Sequence, residues 1–242
     1  MRFLGIDLGW VSGPSGLCCL EWDGQALVLL DLGRQQPLET ILAWVDRWAP
    51  EGQAAGVAVD APTIIPNATG MRLPDRLTHL YFRRYQAGCY PANLGRPFAR
   101  RTVGFGQALL ARQFRHGVHI QPRRPDRWQI EVFPHPAVVH LFALPRILKY
   151  KKGGLAQRQQ ELQKLRDLLL QLKGGEPALN LRDLPAIPST TAALKVLEDQ
   201  LDALVCAYVA AYWWYWGRQK NQVLGNEQEG YIVVPQQPVS VE

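Results

Sequence analysis

Two short apolar runs, each ending in an aspartate, constrain this chain most. Residues 2–7 read RFLGID and are followed by Gly9, Gly13 and Pro14; residues 54–60 read AAGVAVD and are stopped by Pro62 and Pro66. Continuous apolar runs of this length, closed by turn residues, fit strands buried on both faces of an α/β sheet. Between them, residues 16–22 and 26–32 read as two more strands, with Asp23-Gly24 as the hairpin turn. Residues 37–48 then carry Leu38, Ile41, Leu42, Val45 and Trp48 at helical spacing. The order is three strands as an antiparallel meander, a helix, and a strand ending in Asp60. A helix between strands of one sheet implies a right-handed crossover and parallel pairing.

The second half is less regular. Residues 67–126 are basic and rich in loops, with helical patterns at 75–86 and 106–115 around a Pro/Gly loop, and read as an insertion packed on the sheet. WQIEVF at 128–133 is another strand, and residues 137–143 a short helix. KYKKGG at 149–154 is a basic loop, and residues 155–172 form an amphipathic helix. Ser189 or Thr190 is placed to cap a last long helix running to Trp216. Beyond it the chain is polar except for residues 231–234, which suit an edge strand. The expected architecture is a mixed five-stranded sheet flanked by helices. It forms one domain over residues 1–216, with an insertion at about 67–126 and a polar tail at 217–242.

The carboxylates carry the chemical interest. Asp7 and Asp60 each end a strand, where side chains enter the ligand crevice of an open α/β sheet. If the strands are neighbours the two acids meet, and close carboxylates need a cation or a shared proton to coexist. Magnesium or manganese suits such oxygen donors. Taken singly, each aspartate is better read as a helix or turn cap after its strand; two in the same setting weaken that reading. Glu198, Asp199 and Asp202 lie where the last helix turns apolar all round, and carboxylates entering a buried helix are costly unless they face a polar site. Helix-dipole compensation accounts for Glu198 and Asp199 better than for Asp202. Glu131, inside an apolar strand, is either a further site carboxylate or the partner of an arginine from the insertion; the site role is slightly preferred. His135, alone in a Pro-rich loop, fits a structural role better than proton transfer.

The net charge of +6 is concentrated. Between residues 72 and 127 arginines abound, Arg84, Arg96, Arg100 and Arg101 among them, with Asp75 and Asp126 as the opposing acids. Arginine forks match phosphate oxygens, so the stretch suits a nucleic-acid footprint as well as it suits a solvated surface or arginines paired with acids elsewhere. The cysteines, Cys18, Cys19, Cys89 and Cys206, have neither zinc nor disulfide spacing and read as reduced and structural. No signal peptide or membrane span is expected, which places the protein in the cytoplasm. The aromatic cluster at 213–216 fits a dimer contact or burial within one chain equally well, so the oligomeric state stays open.

In order, GIDLGW, VAVDAP, IEVFPHP, KYKKGG and EDQLDAL resemble the family designated domain of unknown function 429, regarded as predicted nucleases of the RNase H-like superfamily. The resemblance spans residues 1 to about 216. It implies an RNase H-like fold in which Asp7, Asp60 and the pair Asp199/Asp202 match the acidic positions, with Glu131 and Lys151 in further family motifs. The leading expectation is a metal-dependent nuclease, a hydrolase of phosphodiester bonds. Asp7, Asp60 and Asp202, with Asp199 or Glu131, would hold Mg²⁺ or Mn²⁺, and Lys151 or Lys152 would offset transition-state charge. Tyr81, Tyr85 or Trp128 could stack on bases, although core packing accounts for them better. The rival readings are a non-catalytic nucleic-acid-binding or scaffold protein and, last, an actin-like phosphotransferase, suggested by GIDLGW alone.

Overall fold

The computed structural model describes residues 1–237. Its elements run β1 (Arg2–Asp7), β2 (Ser15–Trp22), β3 (Leu27–Gln35), α1 (Leu38–Trp48), β4 (Ala55–Val59), α2 (Leu73–Phe82), α3 (Ala99–Ala111), β5 (Arg115–His116), β6 (Arg127–Glu131), α4 (Pro134–Leu141), α5 (Leu155–Gln171), β7 (Leu179–Asn180), α6 (Thr191–Trp216), β8 (Asn221–Asn226) and β9 (Gly230–Pro235). The main sheet has the order β5-β6-β4-β1-β2-β3-β7, and β8 and β9 form a separate hairpin. β1 is central, antiparallel to β2 and parallel to β4, which is parallel in turn to β6.

The meander, crossover and parallel pairing agree with the sequence reading, but the sheet has seven strands among the described residues where five were expected. The two extra strands, β5 and β7, are two-residue edge pairings. Segments that short carry no periodicity by which to recognise them. The second helix of the insertion also lies earlier than the 106–115 expected, at Ala99–Ala111. It buries Ala99, Thr102, Phe105, Gly106 and Leu109, a three-to-four-residue stripe that includes a polar residue and a glycine.

The expected polar tail is a second correction. β8 and β9 pair from Asn221–Pro235 to Asn226–Gly230, and every residue of β9 is buried. Tyr231 donates from its hydroxyl to Gln129 O at 3.0 Å, and Val233 bridges in parallel to Val132 just past β6. The hairpin therefore packs onto the body of the protein. Its short apolar run at 231–234 is the strand expected there, one of the two in its own sheet, and it is buried.

Helix packing fixes which residues meet at the strand ends. Phe3 of β1 and Ala58 of β4 belong to the core shared with α6, whereas Leu4, Ile6, Val57 and Val59 belong to the core shared with α1 and α3. Because side chains alternate along a strand, Gly5 and Asp7 fall on the α6 face with Phe3, and Asp60 falls there with Ala58. α6 lies very close to that face. A Cβ built on Gly5 would stand 1.9 Å from Ala203 O, and one on Gly16 the same distance from Asp199 O. Glycine at these positions lets helix backbone touch strand backbone, which brings the acidic turn of α6 to the end of β1. Thr190 caps α6 through its hydroxyl, which accepts from Ala193 N at 3.3 Å. Trp213 and Trp214 are buried within the chain.

Candidate functional site

The C-terminal ends of β1 and β4 and the acidic turn of α6 meet at one point. Asp202 is wholly buried there. Its Oδ1 accepts from the Tyr150 hydroxyl at 2.6 Å, and its Oδ2 stands 2.7 Å from Lys151 Nζ. Both partners come from the loop between α4 and α5, whose turn is closed by Gly153 at φ +108°. Asp7 and Asp60 join them, each keeping part of its surface open.

The electrostatics follow from crowding acids around one ammonium group. Burial pushes the Asp7 carboxyl well above its usual range; Lys151 opposes that, while Asp202, Asp60 and Asp199 add to it. Burial likewise lifts Asp60 to about 7, against the pull of Lys151 and with the push of Asp202 and Glu131. Burial works to lower the Lys151 ammonium, yet Asp202, Asp7, Tyr150 and Asp60 together hold it well above its ordinary value. His135, whose ring centre is 5.4 Å from that of Tyr150, is pushed down to about 4, first by burial and then by Lys151. It is a neutral imidazole at physiological pH.

The remaining sequence candidates are paired with other groups. Asp199 is committed to ion pairs with Arg34 at 2.9 Å and Lys195 at 2.8 Å, on the β2–β3 side of α6. Glu198 pairs with Arg158 and Lys195. Glu131 is in register with Val59 and shares its face, so it points away from the side that carries Asp60's neighbour Ala58. There both its oxygens accept from Arg72, at 2.7 and 2.8 Å, and Arg72 also holds Asp75 at 2.8 Å. Of the two roles weighed for Glu131, this contact is the arginine partnership.

Several arginines of the basic stretch also have structural partners. Arg112 pairs with Asp46, Arg115 with Asp126, and Arg127 donates to the carbonyls of Ala49, Pro50, Gln53 and Arg112. Arg84 and Arg100 are exposed; Arg96 and Arg101 are half-buried, the latter donating to Gln36 O. Trp128 is core, its ring lying where a Cβ on Gly56 would fall. Tyr85 is buried and Tyr81 exposed. Sequence reasoning passed over Tyr150, Arg34 and Arg72. Tyr150 alone left a trace, an aromatic residue inside an otherwise basic loop.

The site's donors suit a hard divalent cation by their chemistry, since carboxylate oxygens outnumber the one ammonium group among them. As arranged, Lys151 holds the position of positive charge. No group of three His, Cys, Asp or Glu side chains among the described residues is gathered around a common ligating point. Lys151 Nζ stands against Asp202 Oδ2, where a bound ion would compete with it. The lysine side chain retains 32% exposure, which leaves it a path out.

Fold and site together define a mixed α/β protein with a buried carboxylate–lysine centre at the C-terminal ends of its central strands. The chain belongs to the family described as protein of unknown function (DUF429), whose model matches residues 5–229 and so reaches into the β8–β9 hairpin. No curated protein matches the chain. Among the described residues no helix is long and apolar enough to cross a membrane.

Proposed function

We propose that this protein is a metal-dependent phosphodiester hydrolase acting on nucleic acid, built on an RNase H-like fold. One observation carries the reading: Asp7 and Asp60, at the ends of adjacent parallel strands, share a face with Asp202 of the last helix. The sheet order β3-β2-β1-β4-β6, antiparallel across β2 and parallel from β1 onward, supports the RNase H-like assignment. Asp7, Asp60 and Asp202 would hold Mg²⁺ or Mn²⁺. Such an ion supplies an acidified water and stabilises charge on the leaving oxygen.

The chain's own residues do the rest. Tyr150 fixes the orientation of Asp202 through a buried 2.6 Å hydrogen bond. Lys151, displaced from Asp202, carries its charge to a scissile phosphate, where positive charge favours the transition state. Arg84, Arg96, Arg100 and Arg101 hold the flanking phosphates.

A second reading has its own observation. Lys151 already balances Asp202, which suits a nucleic-acid-binding or scaffold protein without catalysis. Labelled single-stranded, duplex, branched and hybrid substrates, incubated with Mg²⁺, Mn²⁺ or EDTA, decide between them. Cutting that needs the metal and disappears in a folded Asp7→Asn variant supports the hydrolase. Salt-sensitive binding without cutting in any condition supports the second reading, and undiminished cutting by Asp7→Asn removes the site assignment.

A further inference from the structure

The aromatic residues of this protein are mostly buried, but two large ones are exposed side by side in a recess that Asp60 shares with Arg72, Asp75 and Glu131. Trp10 leaves 46% of its surface in solvent and Tyr90 58%. Their ring centres are 5.4 Å apart at 73°, forming a corner. Together with Asp60, Ala61 and Pro62 they line one recess.

Trp10 is held in place. Buried Phe98 backs its ring at 4.6 Å. Trp10 O accepts from Gly13 N at 2.8 Å, and Ser15 Oγ accepts from Gly9 N at 3.0 Å, closing a tight turn directly after β1. The next residue, Val11, sits at φ +54°. A β-branched residue is strained there, and strain of this kind persists where surrounding structure enforces it. The turn and the Phe98 contact thus place the indole three residues beyond Asp7.

One arginine stands against the corner, while Asp75 and Glu131 of the recess are paired with Arg72. The Arg96 guanidinium lies 5.1 Å from the Tyr90 ring centre. Phe98, which touches Trp10, is the boundary residue of α3, and the first turn of that helix holds no acid but contains exposed Arg100. A helix start without a carboxylate keeps its partial positive charge available to an anion.

From this juxtaposition we propose that Trp10 and Tyr90 form a stacking platform for an unpaired base of a single-stranded nucleic acid, with Arg96 and Arg100 on the adjoining phosphates. The platform rests on the nucleic-acid reading above and narrows it to strands that offer an unpaired base beside Asp60. Aromatic platforms flanked by basic residues bind single strands in this way, because every base has a π-face. A duplex stacks its bases on one another and offers no free face to the corner.

The test is fluorescence anisotropy in EDTA, with a labelled decathymidylate, a decauridylate and an abasic ten-residue strand of equal charge. Wild type is expected to bind either base-bearing strand at least roughly fivefold more tightly than the abasic one, the low end of one stacked base. Trp10→Ala and Tyr90→Ala, both at exposed positions, should bring base-bearing and abasic strands to equal affinity, and Trp10→Phe should restore much of the difference. Equal affinity of wild type for all three strands overturns the platform and leaves nucleic-acid binding standing. Absence of binding to any strand overturns it as well, and the cleavage panel then judges the hydrolase separately.

Discussion

Lys151 Nζ stands 2.7 Å from Asp202 Oδ2, so a loop between two helices supplies the counter-charge for a carboxylate that has no exposure of its own. The partners are far apart in the chain, and nothing local links them. Removing one side of such a pair leaves an uncompensated buried charge, which is costlier than the pair is favourable.

Lys151→Met should therefore destabilise the protein in EDTA by about 1–3 kcal/mol, less than a fully buried pair because the lysine keeps solvent contact. Urea denaturation measures it. Added Mn²⁺ should stabilise the variant more than wild type, since an ion that binds the folded state shifts the equilibrium by mass action. A variant as stable as wild type in EDTA would show that Lys151 contributes nothing at this position.

Asp60 gives a pH signature. Its carboxyl is raised from 3.8 to about 7, so its contribution to stability is complete below about 4 and is lost as pH rises through about 7. Asp60→Asn removes the cost of ionisation. In EDTA the variant should be more stable than wild type at pH 8, by about 2 kcal/mol once solvent contact is allowed for, and the gain should vanish near pH 4. Paired thermal melts at the two pH values check this. A gain of equal size at both would remove ionisation of Asp60 as its cause.

Arg72 is the cation between two buried acids, Asp75 and Glu131. Arg72→Met should lower stability by about 3–5 kcal/mol, because both carboxylates lose their partner. Glu131→Gln in the same background should recover part of the loss, since one of the stranded charges is then gone. Chemical denaturation of the single and double variants measures the difference; no recovery would mean that Glu131 does not depend on Arg72.

Gly5 is where β1 and α6 touch. Gly5→Ala would put a methyl group 1.9 Å from Ala203 O, against backbone that cannot rotate away. A loss of about 3 kcal/mol is expected, at the upper end of ordinary overpacking. The separation of Asp7 from Asp202 should widen with it. Urea denaturation reads the first effect, and a crystal structure of the variant reads the second. Wild-type stability would mean that the helix and strand are less closely apposed.

Much of the fold was legible because it is written in local periodicity. RFLGID and VAVD read as buried strands, the 38–48 pattern as a helix between them, and Thr190 as a cap; each is a property of a few consecutive residues. β5 and β7 are too short to have a period, and the burial of the 231–234 strand depends on helices that lie elsewhere in the chain.

The sequence by itself determined that Asp7 and Asp60 end buried strands and that Asp202 opens a buried helix segment, since burial and spacing follow from neighbouring residues. Only the tertiary structure decided which acids meet. Glu131 and Asp60 both lie at strand ends, yet pairing of Glu131 with Val59 turns it toward Arg72 on the opposite face. Asp199 and Asp202 are one helical turn apart, yet one faces Arg34 and the other Lys151 and Tyr150. The direction of a side chain is set by strand register and helix approach, and both are fixed by contacts between segments distant in the chain.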